Sequence, residues 1–204
     1  MKAFYINVRH LVLILSVLLI PCAVATTVIP PTFTELVAQS ESVLWGEVTA
    51  INSELVTQGN SRAIFTRVTV AVREQIIGTN PTTVTLEFLG GTVGELTMVV
   101  DGMPRFTLGQ KDILFVQNNG RQICPLVGMA HGRYTIVRDP LTGTDQVARD
   151  NGAYLTNVAQ VSHPLTQGTL SDTLRRLGGT PMTPAAFIAE IRAEKARQFP
   201  INAR

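Results

Sequence analysis

Between residues 63 and 73 the side chains alternate: Val68, Val70 and Val72 share one face of an extended chain, while Thr69, Ala71 and Arg73 share the other. A period of two rules out a helix and requires a sheet with one face turned towards a core. Other stretches obey the same rule. Residues 84–89 alternate and stop at Gly90-Gly91, and residues 133–138 alternate around Tyr134 and Ile136. The run 106–116 carries a turn at Gly109 followed by Ile113-Leu114-Phe115-Val116, bulky enough on both phases to read as a buried central strand.

Shorter signals fill the remainder. Residues 43–51 form a first strand with Gly46 at a bend or bulge, and the polar stretch 52–61 forms a hairpin loop. Residues 96–100 form a short strand. Asn118-Asn119-Gly120 marks a tight turn, residues 122–127 return as an edge strand broken by Pro125, and Asp150-Asn151-Gly152 turns the chain into Ala153-Tyr154-Leu155. About eight short strands at this spacing predict an all-β fold, a single closed or partly open barrel of the OB type. Two helices frame it. A short one begins at Phe33, capped by Thr32 or Thr34, and a C-terminal amphipathic one follows Thr183-Pro184, with Phe187, Ile188 and Ile191 as its apolar stripe. The bland reading packs this helix on the β core, and docking of a partner is the alternative.

The N-terminus has the layout of an export signal. Lys2 and Arg9 precede an apolar run at 11–20, and Ala23-Val24-Ala25 supplies small residues for cleavage after Ala25. The apolar run is short for a full span of about 20 residues, and Pro21 interrupts it. The expected organisation is a signal peptide at 1–25, a β-barrel domain at 26–163, a linker with a helical turn at 164–182, and the C-terminal helix at 183–204. Location is then periplasmic or extracellular, with no membrane span after cleavage. A lipid on Cys22, and hence a protein held at the cell surface, is the competing reading.

Composition narrows the function. The chain holds 17 Lys and Arg against 15 Asp and Glu, and Lys2 and Arg9 belong to the leader, so the remainder is balanced. No basic stripe offers itself to a phosphate backbone, so nucleic acid is not an expected partner. Cys124 is left without an intramolecular mate once Cys22 departs; it reads as a buried thiol shielded by Ile123, Leu126 and Val127 in a monomer. His131 and His163 stand far apart with no ligand at metal spacing, and Asp139, Asp145 and Asp150 depart from the EF-hand loop. No metal, cofactor or catalytic residue is assigned. A hydrolase with a site around His131 is the enzymatic alternative.

The order Ser40-Glu41-Ser42-Val43-Leu44-Trp45-Gly46-Glu47-Val48, then Thr66-Arg67-Val68-Thr69-Val70, Gly90-Gly91, Leu108-Gly109 with Ile113-Leu114-Phe115, and Val127-Gly128 with Gly132-Arg133-Tyr134, resembles a group of uncharacterised exported bacterial proteins. Their layout is similar to the OB-like barrel of netrin-type and metalloproteinase-inhibitor (TIMP-like) modules. That resemblance implies an exported, non-enzymatic module that binds a protein, with a protease as the partner class the inhibitor modules suggest. The inhibitors grip metal through an N-terminal cysteine, whereas the expected first residue here is Thr26.

If the chain binds a partner, the passage 90–106 is the expected surface, with Met103, Arg105 and Phe106 as contact residues. It joins two strands, and Gly90, Gly91, Gly94 and Gly102 give its backbone freedom. The competing reading has Leu96, Met98 and Val100 completing the sheet and Phe106 plugging the barrel end.

Overall fold

The computed structural model describes residues 29–59, 61–79, 81–165 and 179–199. The leader, Cys22, and the helical turn expected in the linker lie outside the described residues. The first element is helix α1, Phe33–Gln39. Its start is fixed by a capping box: the Thr32 hydroxyl accepts from the Glu35 amide, and the Glu35 carboxylate accepts the Thr32 amide at 2.8 Å. Strands β1 (Ser42–Gln58), β2 (Ser61–Ile77), β3 (Thr83–Leu89), β4 (Gly91–Val93), β5 (Leu96–Met98), β6 (Lys111–Val116), β7 (Arg133–Arg138) and β8 (Asp145–Arg149) follow, and helix α2 spans Pro184–Gln198. One-turn 3₁₀ segments sit at Met129–Gly132 and Val158–Ser162.

The fold is mostly β. Six strands form one antiparallel sheet in the order β3-β2-β1-β6-β7-β8, and β4 and β5 form a separate two-stranded ribbon. The named strands of the main sheet form an open ladder running from β3 to β8, and strand pairing alone closes no barrel among the described residues. Gly46 lies at a register shift between β1 and β2, where a Cβ would meet Val70 Cγ1 at 2.4 Å and Ala71 O at 2.6 Å. Only glycine lets the two backbones approach there.

Three expectations need correction. The hairpin loop expected at 52–61 is strand over most of its length: β1 continues to Gln58 and β2 starts at Ser61, giving a two-stranded ribbon beyond the end of β3. Its residues are polar apart from Leu55 and Val56, which are neighbours and so point to opposite faces, and the apolar alternation that flags a strand is missing. Residues 122–127 and 153–155 are not strands. Each makes one isolated bridge, Leu126 to Val116 and Tyr154 to Ala148. Strand β8 was not anticipated, because only Val147, Ala148 and Arg149 are buried and the apolar signal is two residues long.

Both outer edges of the main sheet are nevertheless covered by the chain's own loops. Along β3, Glu87 N donates to Asn119 Oδ1, Asn119 Nδ2 to Thr85 O, and Leu89 N to Ile123 O at 2.8 Å. Along β8, Arg149 N donates to Ala153 O, and Val147 N to Met182 O at 2.9 Å. Covered edges remove the template for unplanned strand pairing.

Each face of the sheet carries its own core. On one, Val43, Ile113, Phe115, Tyr134 and Val147 meet Leu36 and Val37 of α1 and Phe187, Ile188 and Ile191 of α2. The Phe187 ring lies 4.8 Å from that of Tyr134 and 6.1 Å from those of Phe33 and Phe115, so one side chain links both helices to the sheet. On the other, Leu44, Val48, Val68, Val70, Leu86, Phe88, Leu114 and Val116 pack together. No α-helix among the described residues packs on this second face.

Candidate functional site

The second face is spanned by the passage 90–106 and the turn 128–131. Between them and the sheet lies a groove of about 1230 Å³. Its floor is built by Ile51 from β1, Val68 from β2 and Phe88 from β3, and its walls include Met98, Met103, Phe106 and Met129. All three residues expected to contact a partner line it. Arg105 is exposed, whereas Met103 and Phe106 are partly buried and pack on the second core, the Phe106 ring lying 5.0 Å from that of Phe88. Leu96 and Met98 belong to the separate β4–β5 ribbon and do not extend the main sheet.

The passage is tethered at several points. Gly90 N donates to Ile64 O at 2.7 Å, and its carbonyl accepts from Thr66 Oγ1 at 2.6 Å. Gly91 follows at φ +136°, with Thr66 Oγ1 2.2 Å and Ser53 Oγ 2.7 Å from where a Cβ would stand. Here glycine serves close approach, pressing the ribbon against the Ser53–Thr66 pair. In the middle, Ala130 N donates to Gly102 O at 3.3 Å. At the far end, Arg133 Nη1 donates to the carbonyl of Arg105, and its guanidinium carbon sits 4.4 Å above the Phe106 ring. The tethers fix the groove's walls.

Arg133 is 4% exposed and organises a buried charge cluster. Its Nε reaches Asp112 Oδ1 at 3.2 Å and its Nη1 reaches Asp150 Oδ1 at 2.9 Å, while Thr135 Oγ1 donates to the same Asp112 oxygen at 2.9 Å. Asp112 Oδ2 has no hydrogen-bond partner among the described residues. Burial raises the Asp112 and Asp150 carboxyls above the usual carboxylate range and outweighs the pull of Arg133 on each. Asp112 shares the phase of Leu114 and Val116 on β6, and Arg133 and Thr135 share a phase on β7. The cluster therefore lies on the groove side of the sheet. A charge in the middle of an apolar strand demands a partner, and that was the one signal in the sequence pointing to this pair.

His131 also lines the groove, 7% exposed, with Nδ1 lacking a hydrogen-bond partner among the described residues. Burial, aided by the Arg149 guanidinium, lowers its pKa to about 4. No serine, threonine or cysteine hydroxyl or thiol among the described residues is hydrogen-bonded to it. A general base works best with a pKa near the operating pH, so this imidazole is a weak one. Cys124 is 3% exposed and its thiol is pushed up to about 11 by burial, which leaves it protonated and unreactive. Ile123, expected to shield it, is 51% exposed, and the shielding comes from the second core instead. Of the aspartates considered for calcium, Asp145 pairs with Arg138 and Asp150 with Arg133, while the Asp139 carboxylate accepts from Leu141 N and Gln146 Nε2.

No family model, curated protein or solved structure matches this chain. No helix among the described residues is long and apolar enough to cross a membrane.

Proposed function

We propose that the protein is an exported, non-enzymatic binding module that takes a protein partner in the groove under residues 90–106. The observation that carries this reading is the groove itself: a concave site with an apolar floor of Ile51, Val68 and Phe88 and walls of mixed polarity tethered by polar links, beside a histidine too weakly basic for ordinary acid–base work. Export rests on the leader pattern at 1–25. The scaffold is read as an OB-like barrel of the netrin and TIMP-like kind, in which the irregular segment 117–127 stands in for a closing strand. Leu89 N to Ile123 O on one side, and Gln117 N to Pro125 O and Val127 N to Phe115 O on the other, support that ring.

Because Met103 and Phe106 also pack on the core, the cleanest test uses exposed groove residues. Arg105→Glu combined with Val99→Glu, the latter residue 69% exposed, is expected to leave thermal unfolding within about 2 °C of the parent, as surface substitutions do. The same pair should abolish retention of the partner recovered with the native exported protein. Retention unchanged by the pair places the binding surface elsewhere.

A further inference from the structure

The β4–β5 ribbon leaves one strand edge open. Strand β5 pairs only with β4, and no other hydrogen bond among the described residues engages the backbone of residues 96, 97 or 99. The contrast with β3 and β8 is direct, since loops of the chain cover both of those edges. Leu96 and Val99 flank the open edge at 54% and 69% exposure, and Thr97, Met98 and Val99 line the groove. An uncovered edge with exposed apolar side chains is what globular proteins ordinarily avoid.

We propose that an extended peptide segment of a partner protein adds to β5 as a further strand and lays every second side chain into the groove. This rests on the groove being a binding site and names the kind of partner it takes. Main-chain donors and acceptors of β5 supply the attachment, and the alternation of an extended chain matches the apolar floor of Ile51, Val68 and Phe88 on one side and solvent on the other. Met98, Met103 and Met129 suit a range of apolar side chains, because the thioether arm is unbranched and adaptable. Asp101 and Arg105 stand at the same end with one charge of each sign, so selection falls on backbone and apolar contacts. A second copy of the chain fits less well. Two three-residue edges meet along only about 10 Å of strand, a contact that leaves the groove unfilled and lacks the broad buried surface of a stable pair.

The test uses the full mature chain and a short, soluble synthetic peptide alternating valine with threonine, together with a twin in which one central amide is replaced by an ester. Hydrogen exchange by NMR should show the amides of Thr97 or Val99 slowed at least about tenfold on peptide addition, and the ester twin should bind about tenfold more weakly, the value of one backbone hydrogen bond. Binding that leaves those amides unprotected, with the ester twin equally tight, overturns strand addition while leaving the groove as a binding site. Absence of peptide binding at millimolar concentration also overturns it, whatever the Arg105 and Val99 substitutions do to partner retention. Protection that rises with protein concentration alone assigns the edge to a second copy and overturns the peptide.

Discussion

Arg133→Met tests whether the groove wall hangs on the buried charge cluster. The substitution keeps an unbranched stem and removes the cation that faces Asp112, 1% exposed, and Asp150. Asp112 is then left with the Thr135 hydroxyl alone. Breaking one partner of a buried pair costs about 3–5 kcal/mol, because a charge stays buried without compensation. For a domain of this size that lowers Tm by about 10 °C. The sign with pH follows from the raised carboxyl of Asp112. A folded-state pKa above the unfolded value makes an unfavourable contribution at high pH, and that contribution fades as pH falls through the folded value. Without Arg133 the carboxyl rises further, so the variant should lose most at pH 8 and recover part of the loss at pH 5. Urea unfolding followed by circular dichroism at the two pH values measures this. The double variant Arg133→Met with Asp112→Leu should be less destabilised than Arg133→Met alone, since no charge of the central pair remains buried. A loss below about 1 kcal/mol for the single variant, or additive losses in the double one, refutes the reasoning.

His131 titrates in the opposite sense. Its folded pKa of about 4 lies below the ordinary 6.5, so stability is full above pH 6.5 and declines as pH falls towards 4, by about 3 kcal/mol; His131→Gln should remove that part of the slope, and an unchanged slope in stability curves counts against a buried neutral imidazole. Gly91→Ala should cost more than about 2 kcal/mol, since its methyl meets Thr66 and Ser53, whereas Gly94→Ala, with nothing within 4 Å and φ +59°, should cost only about 1 kcal/mol of backbone strain. Equal losses in chemical denaturation would remove the close-approach argument. Cys124 should react with a thiol reagent only as fast as the fold opens, and rapid labelling of the native protein would contradict its burial.

The strands legible in the sequence were those with one buried face. Residues 68–72 and 84–89 alternate because β2 and β3 have one wet side, and the runs at 113–116 are continuous because both faces of β6 are covered. The C-terminal helix was legible from Thr183 and Pro184, whose hydroxyl cap and missing amide suit a first turn. What could not be read was backbone pairing that leaves no mark on side chains. The 53–58 ribbon has only the adjacent Leu55 and Val56 as apolar residues, one to each face, β8 holds too few apolar residues, and the caps over β3 come from Asn119 and a carbonyl at Ile123. The flanking glycines singled out Met103, Arg105 and Phe106, which the structure places along the groove, but backbone freedom is only part of the glycines' role: Gly91 allows close approach, and the passage is tied down at Gly90, Gly102 and Arg105. Arg133 was missed because a charged residue opening a strand reads as solvent-facing until Asp112, across the β6–β7 pair, gives it a buried partner.

The two faces of the sheet solve the same problem in different ways, and the difference bears on function. On the helical face the centre of the covering is apolar: Phe187 reaches Phe33, Phe115 and Tyr134. A passage meant only to seal the opposite face would be expected to follow that pattern, burying side chains along its length, since burial of one large apolar side chain is worth about 1.5–3 kcal/mol. The passage 90–106 instead spends its links on main-chain carbonyls at Gly90, Gly102 and Arg105, leaves Val99 and Leu96 in solvent, and stands off the floor by a groove of about 1230 Å³. Carbonyl tethers set position without filling space. A wall held at a fixed height over an apolar floor, with Arg133 buried to hold it there, is a costly way to close a core and a sensible way to keep a site open for a partner.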